Sequence, residues 1–325
     1  MSNTVSDSKI DRRVITVRSS GVDRVFRILI SAGALFSLFV LGLIAFFLLY
    51  QGFEIFKDFG LKFLTSSVWS AGSDDGSQVA SFGVGAMLFG SLVIALIALI
   101  VSLPFAIAVS LYLEFYSPRS IRRLLTSILD MVAAIPSVIW GLWGYTILNP
   151  MGAGWAKSLN SWLHWIPIFN VPTPIFERSP FIAGLLLAMM ILPITTSVTR
   201  EVYSHAPRDQ IDAVYGLGGT RWGAMRTVVL PFGRSGLVGG AMLGLGRALG
   251  ETVAVYLVLN LFFKVNFQIL LSAGGSVASL IATRFGEAGP YELKALIAAG
   301  LVLFVVTLIV NSIATLIVNH GKSAR

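Results

Sequence analysis

The stretch Asp212–Pro231, DAVYGLGGTRWGAMRTVVLP, lies between two long apolar segments and decides how the chain is read. Just ahead of it, Pro207 suits the first turn of a helix, and Asp209 and Asp212 fall near that helix's positive end. Gly216, Gly218 and Gly219 interrupt the helix. Thr220 is placed to cap a second helix, and Pro231 to stop it. Trp222, Met225 and Val229 recur at i, i+3 and i+7, so they share one face of that second helix. The pattern predicts two short helices joined by a tight turn. Such an element either connects two membrane spans or protrudes as a knob that a partner's groove can hold.

Working outward, the apolar content is 55% and the charged content 12%, which suits a polytopic membrane protein better than a soluble domain. Six apolar stretches are long enough for the roughly 20 residues that a bilayer requires. They lie near 27–50, 84–113, 124–148, 180–198, 235–261 and 294–318. The fold class is therefore all-α, with about six transmembrane helices. Residues 1–25 read as a polar cytoplasmic tail, solvated or resting on anionic lipid, and not as a cleavable signal. Residues 26–83 hold the first helix and an outer loop, 84–318 the transmembrane core, and 319–325 a second cytoplasmic tail.

The charge pattern sets the orientation. Sixteen Lys and Arg fall in the two tails, with Arg27, and in the connections 114–123 and 199–234; seven fall in 51–83, 149–179 and 262–293 with Lys294. Both termini and the 212–231 loop are thus expected in the cytoplasm. The net charge of +8 is mostly this topology signal and not a nucleic-acid footprint. The absence of cysteine removes disulfides, thiol catalysis and thiolate metal sites, and His164, His205 and His320 are too scattered to form a metal cluster. Residues 52–69 mix aromatics with single charges and read as lying flat on the outer leaflet, with docking of an outside partner as the alternative for this loop and the next outer one. Trp155, Trp162 and Trp165 suit interfacial anchors.

Two apolar segments carry unusual residues. In DMVAAIPSVIWGLWG, Asp130–Gly144, Pro136 frees a backbone carbonyl that Ser137 can help satisfy, and Gly141 and Gly144 allow close helix approach. In GGAMLGLGRALGETVAVY, Gly239–Tyr256, an Arg and a Glu stand inside a spanning segment. On a continuous helix, Arg247 and Glu251 share a face and can pair. Gly240 with Gly244, and Gly246 with Gly250, make small steps for a neighbouring helix. Either the pair neutralises itself at a helix contact, or Arg247 offers its planar donors to a tetrahedral oxyanion while Glu251 holds it and keeps the anion from binding too tightly. Thr252 and Thr195 can add neutral donors.

The loop resembles the EAA loop of ABC-importer permeases. That motif is an acidic residue, two small residues, three of any kind, Gly, nine of any kind, an aliphatic residue, any residue and Leu-Pro. Asp212, Ala213, Val214, Gly218, Val228, Leu230 and Pro231 fall on it in register. Asp212 replaces the usual Glu, Val214 the second Ala and Val228 the usual Ile. GRALGETVAV resembles the signature of inorganic-phosphate permeases, of the PstC type in particular: the paired PstA type more often continues with Ala-Pro after Gly-Glu-Thr, and here Val253-Ala254 follows. The Asp130–Gly144 string resembles a segment of the same family.

The resemblance spans about 84–318 and implies the type I ABC importer permease architecture. It further implies a PstA-type permease partner, a PstB-type ATPase dimer carrying ATP and Mg, and a PstS-type phosphate-binding protein outside. No cofactor or metal is expected on this chain, and no enzymatic site: Gly321-Lys322-Ser323 lacks the rest of a phosphate loop. The resemblance implies that Arg247 and Glu251 matter for phosphate passage in the prokaryotic cytoplasmic membrane. A permease for another oxyanion (phosphonate, molybdate or sulfate) is the nearest alternative. Ion-coupled secondary transport is a more distant one, and a membrane-embedded enzyme lacks any catalytic constellation here.

Overall fold

The computed structural model describes residues 21–72 and 79–323, with side chains through residue 316. Most of the expected N-terminal tail, residues 1–20, lies outside these residues, whereas 319–323 of the expected second tail continue the last helix. In chain order the helices are α1 (Gly21–Phe59), α2 (Lys62–Thr65), α3 (Gly85–Leu111), α4 (Arg119–Ala133), α5 (Ser137–Trp143), α6 (Asn149–Leu163) and α7 (Pro180–Ser204). There follow α8 (Arg208–Gly216), α9 (Arg221–Ala224), α10 (Leu230–Phe232), α11 (Arg234–Gly250), α12 (Val253–Val258), α13 (Val277–Arg284) and α14 (Pro290–Ser323). π-helical turns follow α3, α5 and α9. Strands β1 (Trp69–Ser70) and β2 (Ser81–Phe82) form one antiparallel pair. The chain divides into a unit ending at Phe47, which among the described residues is the apolar, exposed first part of α1, and a second unit from Leu48 onward.

Among the described residues, four helices are long and apolar enough to cross a membrane: α1, α3 with its π-turn, α7, and α14 as far as Leu316. Two bent pairs would bring the number to six. The sequence expects a span disturbed at Pro136 over 124–148 and a continuous one over 235–261; the structure breaks both. The third segment breaks before Pro136 and bends by 91°. A proline disfavours helical backbone at the residue before it, so α4 ends at Ala133, Ile135 lies in the break and Pro136 is the N-cap of α5. The fifth segment stops at Gly250 and resumes at Val253.

The core of the second unit is built on the pairing of α3 and α7. Gly184 permits it: a Cβ there would lie 2.5 Å from the Ile97 side chain. Ile94, Ala98, Leu186, Ile191, Leu249 and Val255 fill this layer. Gly141 lies against α12, where a Cβ would come within 3.0 Å of the Ala254 Cα, so its role in close approach holds.

Residues 52–69 do not lie free. Ile55 and Phe63 are fully buried with Phe82, Met87 and Leu296. The Trp69 indole donates to Glu292 Oε1 at 2.7 Å, Tyr291 donates to Asp58 Oδ2 at 2.7 Å, and Lys294 pairs with Glu54. Aromatic residues that look interfacial by composition instead found a small core on the start of α14. Trp155, Trp162 and Trp165 are exposed.

Candidate functional site

Residues 239–260 give the fifth segment two different faces. Gly240 and Gly244 are buried against α7: a Cβ at Gly244 would sit 2.9 Å from Thr195 Oγ1. Thr195 is fully buried in that crossing and gives its hydroxyl to the carbonyls of Ile191 at 3.0 Å and Gly240 at 3.4 Å. Gly239, Gly246 and Gly250 meet open space, so the second small-residue step touches no neighbour within the described residues. Arg247 shares this open side, four residues after Leu243 and three before Gly250. It is half-buried, and its Nε is shielded from solvent without a hydrogen-bond partner.

The expected Arg247–Glu251 pair requires one continuous helix, and the helix ends between them. Glu251 adopts extended backbone, φ −72° and ψ 123°, which swings its side chain off the face of Arg247. No hydrogen bond or ion pair joins the two among the described residues. Glu251 Oε1 instead accepts from the Ala254 amide at 3.4 Å, in the manner of a cap for α12. The Thr252 hydroxyl donates to the Gly250 carbonyl at 3.2 Å. Interrupted helices at membrane depth are tolerated where protein or a water-filled cavity surrounds the freed backbone groups.

The 208–233 loop is a finished local structure. Helix α8 ends with Gly218 at φ +79°, the Gly218 amide on Tyr215 O at 2.9 Å and the Gly219 amide on Val214 O at 2.8 Å, the two bonds of a Schellman motif. Thr220 caps α9 as expected, its Oγ1 accepting from the Gly223 amide at 3.1 Å. Ile211, Met225, Val228 and Val229 pack with Tyr203 at the end of α7, with Val214 and Leu230 alongside. Asp212, Ala213 and Gly218 face outward.

Two expectations fail within this loop. Pro231 does not stop the second helix: it occupies the start of α10, where its missing N–H costs nothing. The chain turns at Gly233, whose Cβ would lie 2.0 Å from the Tyr203 ring. Trp222, in α9, is 58% exposed, while Met225 and Val229, in the π-turn that follows, are buried. Leu217 is 91% exposed. Beside the loop, a polar cleft of about 390 Å³ is lined by Glu114, Arg119, Arg122, Ser204, Arg208 and Asp212.

Residues 102–320 match the family described as "Binding-protein-dependent transport system inner membrane component". The chain belongs to this permease family. It is 38% identical over 295 residues to the phosphate transport system permease protein PstC 2 of Mycobacterium tuberculosis (strain ATCC 25618 / H37Rv), covering 90% of each. It is 36% identical over 291 residues to PstC of Pasteurella multocida (strain Pm70), covering 88% of each. PstC of Mesorhizobium japonicum is 35% identical over 310 residues, with 93% of this chain and 92% of that protein covered. Among solved structures, an inward-facing form of the MetNI methionine ABC transporter superposes with a TM-score of 0.52 at 16% identity, over 72% of this permease and 94% of that chain. That likeness establishes the all-α type I importer permease fold.

One cluster of the permease escaped the sequence reading. Arg178, in the connection before α7, donates through Nη1 to Asn260 Oδ1 at 2.7 Å and stacks over the Tyr145 ring at 4.9 Å. A single arginine in an outer connection, directly before the Ser-Pro start of an apolar helix, was the available signal. Tyr203 and Gly233 were also missed, because only the fold brings them together.

Proposed function

We propose that this chain is the PstC-type permease subunit of an ATP-driven importer of inorganic phosphate, with both termini cytoplasmic. Arg247 carries the reading. It is a permanently charged, half-buried guanidinium with one shielded N–H unpartnered, on the open face of a broken membrane helix. A cation left without a protein counter-ion in such a place is costly unless the transported anion supplies the charge. Its planar donors match a tetrahedral oxyanion. Glu251 and Thr252 line the break, and Thr195 fixes the helix crossing behind it. The names of the relatives support phosphate as the anion.

A PstA-type permease would cover the open face of α11 and complete the pathway. The 208–233 loop would seat its exposed Leu217, Tyr215 and Trp222 in a PstB-type ATPase dimer, where ATP and Mg bind. A PstS-type protein would deliver phosphate from outside. ATP-driven closure of the ATPases would move the loop and open the pathway outward, and hydrolysis would return it inward.

The test is radiolabelled phosphate uptake in cells without their own high-affinity system, supplied with all four components. Uptake should require the ATPase and be inhibited by arsenate but not by sulfate or molybdate. Inhibition by sulfate or molybdate moves the substrate to another oxyanion. Uptake without the ATPase discards the importer mechanism.

A further inference from the structure

We propose that Arg178 is a second anion station, at the other end of α12 from the Arg247–Thr252 break, where a tetrahedral oxyanion is held on its way to Arg247; this rests on the import reading above. Three elements clamp the residue. Its amide donates to Oδ1 of the buried Asn149 at 2.8 Å. Its guanidinium is fixed by Asn260, two residues past the end of α12, and by the Tyr145 ring. Asn260 is steadied in turn by a 3.4 Å bond to Ser272 Oγ.

The backbone is strained to achieve this placement. Arg178 has φ +51°, the one non-glycine residue with positive φ among those described. Such a conformation is uncommon for a residue with a side chain and persists where the surroundings over-determine it. The clamp leaves the charge unanswered. Arg122 and Lys294 each have a carboxylate partner, Glu114 and Glu54. Arg178 has no carboxylate within ion-pair distance among the described residues, and its neighbour Glu177 faces outward. One of its five N–H groups goes to Asn260, and stacking on Tyr145 occupies a face of the guanidinium, leaving edge donors for an oxyanion.

A second, independent observation lies one residue on. Ser179 is fully buried and its hydroxyl has no partner. It is also the N-cap of α7, whose 25 residues place a positive helix end there. A permanent cation, an orphan donor and a long helix N-terminus therefore coincide. The place is where the two connections expected outside join each other, the Ser272 amide on Ile175 O at 3.1 Å and the Phe181 amide on Ile269 O at 3.0 Å. Helix α12 has six residues, a length of about 9 Å. It links this clamp at one end to Glu251 and Thr252 at the other.

The station would retain phosphate released by the delivering protein. Without it, released phosphate escapes outward while ATP is still consumed. The test uses the whole complex in proteoliposomes with phosphate-loaded binding protein outside, reading phosphate uptake and ATP hydrolysis together. Arg178→Gln should lower phosphate moved per ATP by about tenfold. The half-saturating concentration of binding protein should stay unchanged. Arg178→Lys should recover to within about threefold of wild type, since it keeps the charge and loses the fork.

An unchanged ratio in Arg178→Gln overturns the proposal. So does a raised half-saturating concentration with an unchanged ratio, which assigns Arg178 to docking the binding protein. If Arg178→Gln does not assemble, Ser179→Ala decides: the ratio should fall by about two- to threefold, and no change sinks the idea. Arg247→Gln separates this inference from the reading beneath it. Normal uptake in Arg247→Gln removes the import site, whereas lost uptake there beside a normal Arg178→Gln removes only the outer station.

Discussion

Gly218 and Gly250 each end a helix, and the two ends are built in opposite ways. At Gly218 the backbone takes the left-handed conformation, and two short bonds close the last turn of α8. At Gly250 no left-handed cap forms. The end of α11 is left with a 3.4 Å bond from the Glu251 amide to Ala248 O and the Thr252 hydroxyl on Gly250 O. A loop bathed in water can afford loose caps, yet it has the tight ones. A helix end among apolar spans cannot, since an unsatisfied backbone group in hydrocarbon costs several kcal/mol. Under the import proposal, the loose end would be where the anion passes. The tight end, with Leu217 and Trp222 exposed on its surface, would serve the same proposal as a lever.

Removing the charge beside the loose end should have the largest effect. Arg247→Gln should cut phosphate uptake by about two orders of magnitude, because a bidentate charged contact is lost in a poorly solvated place. The complex should still assemble, since Arg247 holds no partner within the described residues. Near-normal uptake would reduce the residue to packing and erase the contrast between the two ends.

At the tight end, Gly218→Val should cost roughly 1–2 kcal/mol locally, because a β-branched residue resists positive φ. A Cβ there meets nothing within 4 Å, so the effect would come from backbone conformation alone. ATP hydrolysis should lose its dependence on binding protein, and Gly218→Asn, which tolerates the left-handed region, should restore most of it. Equal damage from Val and Asn would point to surface contact and not to the turn. Leu217→Ser changes that surface without touching the turn. It should leave the permease folded and weaken ATPase association by about tenfold, the effect of losing one well-buried leucine contact, as measured by co-purification at rising salt.

The sequence disclosed the tight end far better than the loose one. Local rules suffice for a Gly at a helix end or a Thr cap, so α8, Gly218 and Thr220 were legible from residues alone. Pro231 was misjudged because the same proline that ends one helix can begin another, and the turn depends on Tyr203 lying beneath Gly233. The break at 250–252 was invisible to hydropathy, which averages over a window and sees one apolar run. The expected Arg247–Glu251 pair inherited that error. Arg178 was illegible for a different reason: its partners Asn149, Tyr145 and Asn260 are 29, 33 and 82 residues away in the chain, and no local pattern unites them.

The smallest effect should come from Thr220→Ala. The Thr220 hydroxyl satisfies one amide, that of Gly223, at the start of a helix of four residues. Losing such a cap costs about 1 kcal/mol. The loop would not come apart, because Met225, Val228 and Val229 still anchor it on Tyr203. Amide exchange at Gly223 should quicken by about fivefold, the Boltzmann equivalent of that loss, while phosphate moved per ATP stays near the wild-type value. If coupling instead falls as far as in Gly218→Val, the loop does not work as a lever hinged on its glycine turn. The capped first turn of α9 would then itself bear the force, and the exposed Trp222 beside it, not Leu217, would be the contact to pursue.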